Sequence, residues 1–229
     1  MNDLGLAAKE ALYLIFSADA DIVIIVAASL RFALSSTIIA SVIGIPAGIA
    51  LANTRFRCKR LVEDLLNTLL AVPTVVVGLF VYTLIYSQGP LGKFQLLFTP
   101  TAIIIGQTLL ILPLMTALAL SAVSIVNPVV RETAITLGAG RFKTILTIAA
   151  EARSALIVAG ITGFGRVIGE VGIALILGGN ILGYTRTITT AISLETSKGE
   201  FAQGLALGMI LLIVAFVLNL AIRLLRSRT

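Results

Sequence analysis

Two opposite charges lie inside an otherwise apolar stretch of this chain. Arg166 and Glu170 are four residues apart within residues 161–177, so on a helix they share one face. At the centre of a bilayer each charge costs about 2.5–3.5 kcal/mol, and such residues face a bundle interior or a water-filled path. One interpretation is the lining or gate of a translocation pathway, in which Arg166 attracts an anion. The other is a structural ion pair that orders the helix bundle or a dimer interface.

A long polar connection, residues 124–153, offers a different kind of chemistry. Asn127 followed by Pro128 is typical of an N-cap and a first helical position. A short amphipathic helix over residues 129–137 is then expected, ended by the Gly-Ala-Gly run at residues 138–140. A short helix held between two turns is suited to passing force from a soluble partner. The alternative is an ordinary amphipathic connection lying on the membrane surface.

A third candidate is residues 178–192, which are rich in hydroxyl side chains and contain one arginine. Hydroxyl, amide and guanidinium groups suit the docking of a partner protein or a transient contact with an oxyanion. The predicted contact residues are Asn180, Thr185, Arg186 and Thr187. The alternative is a solvated loop.

Residues for enzymatic chemistry are missing from the sequence. There is no histidine, the usual general base, and Cys58 is the single cysteine. No glycine-rich phosphate loop and no metal-ligand spacing occurs. The sequence therefore predicts a chain that is not an enzyme and holds no cofactor of its own.

Composition places the chain in a membrane. Hydrophobic residues make up 58% of its 229 residues and charged residues only 12%, which is too few charges for the surface of a soluble domain. The net charge of +6 comes from residues between apolar stretches, with no basic face interleaved with aromatics, so nucleic-acid binding is not indicated.

Apolar stretches near or above the roughly 20 residues that cross a bilayer define the predicted architecture, a single all-α membrane domain. A short amphipathic helix at residues 4–17 and an interfacial part near 22–30 are expected to precede the first span, and Pro73 is expected to kink the second. The five predicted spans are residues 32–53, 65–86, 101–122, 155–178 and 205–225.

Lysine and arginine placement predicts the orientation, because cytoplasmic segments carry an excess of these residues. With the N-terminus outside and the C-terminus inside, the outer segments hold four of them, Lys9, Lys93, Arg186 and Lys198. The inner segments then hold eleven, namely Arg55, Arg57, Lys59, Arg60, Arg131, Arg141, Lys143, Arg153, Arg223, Arg226 and Arg228.

The inner connection resembles the EAA loop of binding-protein-dependent ABC importer permeases. That loop reads Glu-Ala-Ala, three residues, Gly, nine residues, then Ile-x-Leu-Pro. This chain has Glu132, Ala134, Gly138 and Ile148, with Thr133 in place of the first alanine and Ala150 and Glu151 in place of Leu-Pro. The resemblance implies that the loop couples the permease to an ATPase, through Asn127, Arg131, Glu132, Thr133, Ala134, Leu137, Gly138, Ala139 and Gly140.

The second half of the chain is similar to the tungstate permeases within the same importer group. The resemblance is carried by the run from Gly163 to Gly172 (Gly-Phe-Gly-Arg-Val-Ile-Gly-Glu-Val-Gly), then Gly-Gly-Asn-Ile, Gly-Tyr-Thr-Arg-Thr-Ile-Thr-Thr-Ala-Ile and Leu-Glu-Thr. Molybdate and sulfate permeases share the outline Arg-x3-Glu, Gly-Asn and Gly-x-Thr-x-Thr but usually differ in the threonine run.

These resemblances imply a type I importer permease in the cell membrane of a prokaryote. The implied partners are a second copy of the chain, two ATPase subunits that bind ATP and Mg²⁺, an outer oxyanion-binding protein and the surrounding lipid. Three alternatives remain: a molybdate or sulfate permease, a gradient-driven secondary transporter that uses Arg166 and Glu170 as a relay, and a membrane scaffold. Inverted repeats, common in secondary transporters, are absent from the sequence.

Overall fold

The fold is all-α, as the sequence predicts. The computed structural model describes residue 13, residues 19–54 and residues 57–226, and the surface helix predicted at residues 4–17 lies outside these ranges except for Tyr13. A 3₁₀ turn spans Gly92–Phe94. The α-helices within the described ranges are α1 Ala20–Asn53, α2 Lys59–Leu70, α3 Thr74–Ile85, α4 Pro100–Ser124, α5 Pro128–Thr136, α6 Arg141–Glu151, α7 Arg153–Ile168, α8 Gly172–Gly178, α9 Ile188–Lys198 and α10 Phe201–Arg226.

Helix α1 is longer than the first predicted span. Its 34 residues run without interruption, which is about 51 Å of helix, so residues 22–30 belong to the same helix as the predicted span. Asp19 caps the helix by accepting hydrogen bonds from the amides of Asp21 (3.0 Å) and Ile22 (3.3 Å). Arg31 lies inside this helix and is exposed.

Helices α1 and α4 pack side by side and in parallel. The Ser36 hydroxyl hydrogen-bonds the Gln107 side-chain oxygen across the interface at 3.1 Å, and both residues are buried. Further along, a Cβ placed on Gly48 would lie 2.7 Å from the Ala119 Cβ and 2.8 Å from the Leu120 nitrogen. Only glycine permits this approach of the two backbones.

Replacing Gly48 by valine should therefore push α1 away from α4. Overpacking of this kind costs about 1–3 kcal/mol, and here the obstacle is backbone that cannot rotate away. We expect lower yield and a lower melting temperature of the purified protein. The matched control is Gly160→Val, because a Cβ at Gly160 meets nothing within 4 Å. Equal melting temperatures for the two variants would contradict this account of the α1–α4 interface.

The second predicted span is broken rather than kinked. Helix α2 ends at Leu70, α3 begins at Thr74, and the two axes differ by 98°. Pro73 has no amide hydrogen and disfavours helical geometry at the residue before it, which accounts for the break. Helix α2 is amphipathic and has no buried residue, whereas α3 is apolar and buries Gly78, Val81 and Ile85.

The stretch predicted as a fourth span is also interrupted. Helix α7 ends at Ile168 and α8 begins at Gly172, so residues 169–171 are a break within the predicted 155–178 helix. The connection from α6 into α7 bends by 65° at Ala152. Gly169 and Gly172 flank Glu170 and Val171 in the sequence, and glycine weakens a helix interior.

Three of the described helices, α1, α4 and α10, are each long and apolar enough to cross a bilayer. Counting each of the two bent pairs as one crossing gives five. The end of the bundle formed by Asn53, Ser124 and Arg153 is called the coupling end below, because the connection of residues 124–153 lies there. The chain is a multi-pass membrane protein.

Candidate translocation and coupling sites

The ion pair expected from the sequence is present at the break between α7 and α8. The Arg166 Nη1 lies 3.1 Å from the Glu170 Oε2. Glu170 is 4% exposed as a residue, whereas the side chain of Arg166 is 43% exposed. The carboxylate is therefore held inside the bundle, and part of the guanidinium remains accessible from outside this chain.

Glu170 also organises the helix that follows it. Its Oε1 accepts a hydrogen bond from the Ile173 amide at 3.2 Å, so the carboxylate occupies the N-terminus of α8. A negative charge is favourable at that position because unpaired amides and the helix dipole point toward it. One side chain thus joins the end of α7 to the start of α8 across the break.

The two breaks in the helices lie next to each other. A Cβ placed on Gly172 would lie 3.2 Å from the Thr74 Oγ1 and 3.2 Å from the Val75 Cγ2, the first residues of α3. The proline break at residues 71–73 therefore meets the glycine break at residues 169–171. Sequence reasoning missed Thr74 and Gly172 as members of this site. The sequence did carry a signal for this site: Pro73 interrupts one apolar stretch, and Gly169 and Gly172 interrupt another.

The threonine run that follows the break is buried. The Thr185 hydroxyl donates to the Gly178 carbonyl at 2.5 Å and accepts from the Ile181 amide at 3.0 Å. Thr187 caps α9 in a reciprocal arrangement with Thr190. Both threonines are buried and their hydroxyls have internal partners. Their contact with a docking protein or an oxyanion stays a prediction.

Asn180 and Arg186 differ from the buried threonines because both are half-exposed. The Arg186 guanidinium donates to the side-chain oxygen of Asn180 at 3.2 Å and to its carbonyl at 3.3 Å. Asn180 has a φ of +54°, in the left-handed region that asparagine tolerates better than most residues. Contact of these two residues with an outer partner stays a prediction.

The buried threonine run is tied to the helix break. The Thr189 hydroxyl donates to the Glu170 carbonyl at 2.7 Å and lies 3.1 Å from the Thr187 hydroxyl. In addition, the Ile188 amide donates to the Ser29 hydroxyl of α1 at 2.7 Å. The start of α9 therefore holds both α1 and the break at residues 169–171 in place.

Replacing Thr189 by valine should loosen the break while keeping the shape of the side chain. The change removes the hydrogen bond to the Glu170 carbonyl and the contact with the Thr187 hydroxyl, each worth about 0.5–1.5 kcal/mol. We expect a lower melting temperature of the purified protein, with Thr189→Ser close to the parent protein. Thr83→Val is the control, because the Thr83 hydroxyl bonds only the Phe80 carbonyl within its own helix. Similar losses in both valine variants would exclude a specific role for Thr189.

The connection at the coupling end folds as the sequence predicts. The Asn127 Oδ1 accepts the Val129 amide at 3.0 Å, and α5 runs from Pro128 to Thr136 with Leu137 as its C-cap. Gly138 then adopts a φ of +80°. Its amide donates to the Ile135 carbonyl at 2.9 Å, which ends the helix by a turn that favours glycine.

Helix α5 presents an exposed face and is anchored by a buried one. Ala134 is buried, whereas Leu137 is 82% exposed. Arg131, Glu132 and Thr133 are also exposed. Leu137 is thus left open to contact by another chain.

The returning helix α6 fastens the connection to the bundle. Ile148 and Ala152 of α6–α7 form a buried cluster with Val123 of α4, packed against Ile49 and Ala52 of α1. The connection is thus joined to the ends of both long parallel helices. Within the described ranges, no group of three or more His, Cys, Asp or Glu side chains could hold a metal ion.

Comparison with known proteins identifies the family. Residues 44–229 match the family described as binding-protein-dependent transport system inner membrane component. The tungstate uptake system permease protein TupB of Campylobacter jejuni is 43% identical over 92% of this chain and 88% of its own length. The permease of the same name from Peptoclostridium acidaminophilum is 40% identical over 93% of this chain and 94% of its own.

Solved structures support the fold. A chain of the MetNI methionine ABC transporter in an inward-facing conformation aligns with a TM-score of 0.70, covering 88% of this chain and 93% of that one at 18% identity. At that identity the likeness speaks for the fold alone. The predicted resemblance is confirmed by the family match, and this chain belongs to the family of inner membrane components of binding-protein-dependent transport systems.

Proposed function

We propose that this chain is the permease subunit of an ATP-driven ABC importer that carries tungstate across the cell membrane of a prokaryote. The observation that carries the proposal is the similarity, over nearly the whole chain, to two permeases named for tungstate uptake. Members of this family work with ATPase and binding-protein partners and are not enzymes themselves. ATP and Mg²⁺ would accordingly bind to the ATPase subunits, and the outer protein would deliver the anion.

The meeting point of the two helix breaks is the proposed gate. Arg166 is the half-exposed cation at this point, and a guanidinium pairs well with a tetrahedral oxyanion. Glu170 neutralises Arg166 in the absence of an anion and keeps it oriented toward the opening. A second copy of the chain would place an equivalent arginine across the pathway, so that two cations face the passing dianion.

The connection at residues 124–153 is the proposed coupling element. Closure of two ATPase subunits around ATP would move α5, whose exposed residues Glu132 and Leu137 contact the ATPase surface. Because α6 anchors the connection to α1 and α4, this displacement reaches the long helices and switches the path from inward- to outward-facing.

Vesicle transport tests the function. We expect vesicles that contain the permease, its ATPase and its binding protein to accumulate tungstate only when ATP is present on the side of the membrane that the ATPase subunits face. Excess molybdate or sulfate should compete poorly. Strong competition by molybdate would change the substrate assignment from tungstate to molybdate. Uptake without ATP would favour a gradient-driven transporter, and a fully assembled complex without uptake would favour a scaffold.

Cys58 offers a direct test of the proposed orientation, N-terminus outside and C-terminus inside. It is the single cysteine of the chain and is exposed at the coupling end, next to α2. A membrane-impermeant maleimide added to intact cells should leave Cys58 unlabelled, and the same reagent should label it after permeabilisation. Labelling in intact cells would place the coupling connection outside and remove the basis for ATPase contact.

A further inference from the structure

A large polar cavity lies at the coupling end, between the connection and the ends of the long helices. Its volume is about 900 Å³, and its lining includes Lys59, Arg131 and Arg141 with a single carboxylate, Glu132. A neighbouring cavity of about 330 Å³ is lined in part by Asn53, Arg131 and Arg141. The two arginines thus line both cavities, one from α5 and the other from α6.

These cations are poorly neutralised by the protein. Arg131 and Arg141 make no ion pair within the part of the chain that the structure describes. Lys59 has only a distant carboxylate, with its Nζ 4.0 Å from the Glu63 Oε1, and long contacts of 3.4 Å and 3.5 Å to the carbonyls of Ala52 and Thr54. Three cations against the single carboxylate of Glu132 leave the lining with a net positive charge, which favours an anion in the cavity.

The helix that contributes Arg141 adds a second feature favourable to anions. Helix α6 has 11 residues and begins at Arg141, and no side chain caps its N-terminus. The first amides of a helix point outward and prefer an anionic acceptor. The N-terminus of α6 thus begins at Arg141, a residue that lines both cavities.

We propose that this cavity binds a phosphate-type oxyanion group between Lys59, Arg131 and Arg141. Arginine forks bind such a group through two parallel hydrogen bonds, and lysine adds a point charge. The anion would draw α5, α6 and the start of α2 together and so set the position of the coupling helix. The proposal concerns binding at the coupling end and goes beyond the transport function proposed above.

Two sources have the required chemistry. The cavity lies where the apolar helices α1 and α4 end, which is the level at which phospholipid headgroups meet the protein. An anionic lipid could therefore insert its phosphate there. A free phosphate or other small oxyanion from the surrounding solution is the second source.

The test uses the permease assembled with its ATPase subunits in lipid nanodiscs. The variant is Arg131→Gln with Arg141→Gln, and the control is Lys143→Gln with Arg153→Gln. The control removes the same two charges from the same end, and neither of its residues lines the two cavities. Native mass spectrometry measures the phosphatidylglycerol retained from mixed phosphatidylglycerol–phosphatidylcholine nanodiscs. Calorimetry measures binding of inorganic phosphate in pure phosphatidylcholine nanodiscs.

We expect the parent complex and the control to bind one of the two probes and the arginine variant to bind it at least about tenfold more weakly. Retention of phosphatidylglycerol alone identifies a lipid headgroup as the source, and binding of phosphate alone identifies a free anion. Binding should weaken as salt concentration rises. The proposal is overturned if the parent complex binds neither probe or if the variant and control bind equally. It is also overturned if the only effect of the arginine variant is loss of the ATPase subunits.

Discussion

Replacement of Gly138 by valine should separate ATP hydrolysis from substrate uptake. Gly138 has a φ of +80°, and a β-branched residue there carries a strain of about 1–2 kcal/mol or rotates the turn into another conformation. The turn sets the angle between α5 and α6, so either outcome moves the coupling helix away from its proposed ATPase contact. We expect hydrolysis by the assembled complex to continue while uptake in vesicles falls about tenfold or more. A tenfold fall in rate corresponds to about 1.4 kcal/mol in activation free energy.

The effect should come from the backbone and not from side-chain bulk. A Cβ at Gly138 meets nothing within 4 Å, so no neighbour is displaced. Gly138→Asn is therefore the informative control, because asparagine tolerates a positive φ and should retain most of the uptake. Gly140→Val tests bulk alone, since Gly140 has a φ of −67° that suits any residue. Normal coupled uptake in Gly138→Val would count against the coupling assignment.

Removal of the Glu170 carboxylate should have the second large effect. Glu170→Ala leaves Arg166 without its partner and the start of α8 without its acceptor, whereas Glu170→Gln loses the charge but keeps an oxygen for the Ile173 amide. Breaking a fully buried pair costs about 3–5 kcal/mol, and the exposure of Arg166 lowers this figure. We expect Glu170→Ala to abolish uptake and to lower the melting temperature. Glu170→Gln should assemble normally but transport poorly.

Arg166→Ala distinguishes a gate from a structural pair. If Arg166 attracts the anion, this variant assembles with its partners and hydrolyses ATP, yet its uptake falls at least as far as that of Glu170→Gln. Size-exclusion chromatography of the purified complex reports the assembly. Dissociation of the two permease copies in Arg166→Ala would instead assign the pair to helix packing or to the dimer interface.

Local signals in the sequence were sufficient for the coupling connection. Asn127 and Pro128 mark the start of α5 and Gly138 its end, and all three positions depend on backbone chemistry within a few residues. The ion pair of Arg166 and Glu170 followed from helical spacing in the same way. These features need no knowledge of distant contacts, which is why a single sequence reveals them.

Features that depend on tertiary packing were not predictable. Pro73 indicated a kink, but hydropathy does not report an angle of 98° between α2 and α3. Gly169 and Gly172 interrupt the apolar stretch, but hydropathy does not report that α7 stops at Ile168. Thr185 and Thr187 resembled exposed polar residues, although their hydroxyls satisfy buried backbone groups. Threonine is ambiguous in this respect, because its hydroxyl suits both solvent and an internal carbonyl.

The contact of Ser36 with Gln107 and the glycine approach at Gly48 have a mechanical consequence. They make α1 and α4 a closely packed helix pair, which carries the connection of α5 and α6 at one end. Toward the other end of this pair, the Ser29 hydroxyl of α1 accepts a hydrogen bond from the Ile188 amide, beside the threonine run. We therefore expect a displacement of α5 and α6 to be transmitted along α1 and α4 to the far side of the membrane. Because this route avoids the anion's path, opening and closing of the pathway need no contact with the transported anion.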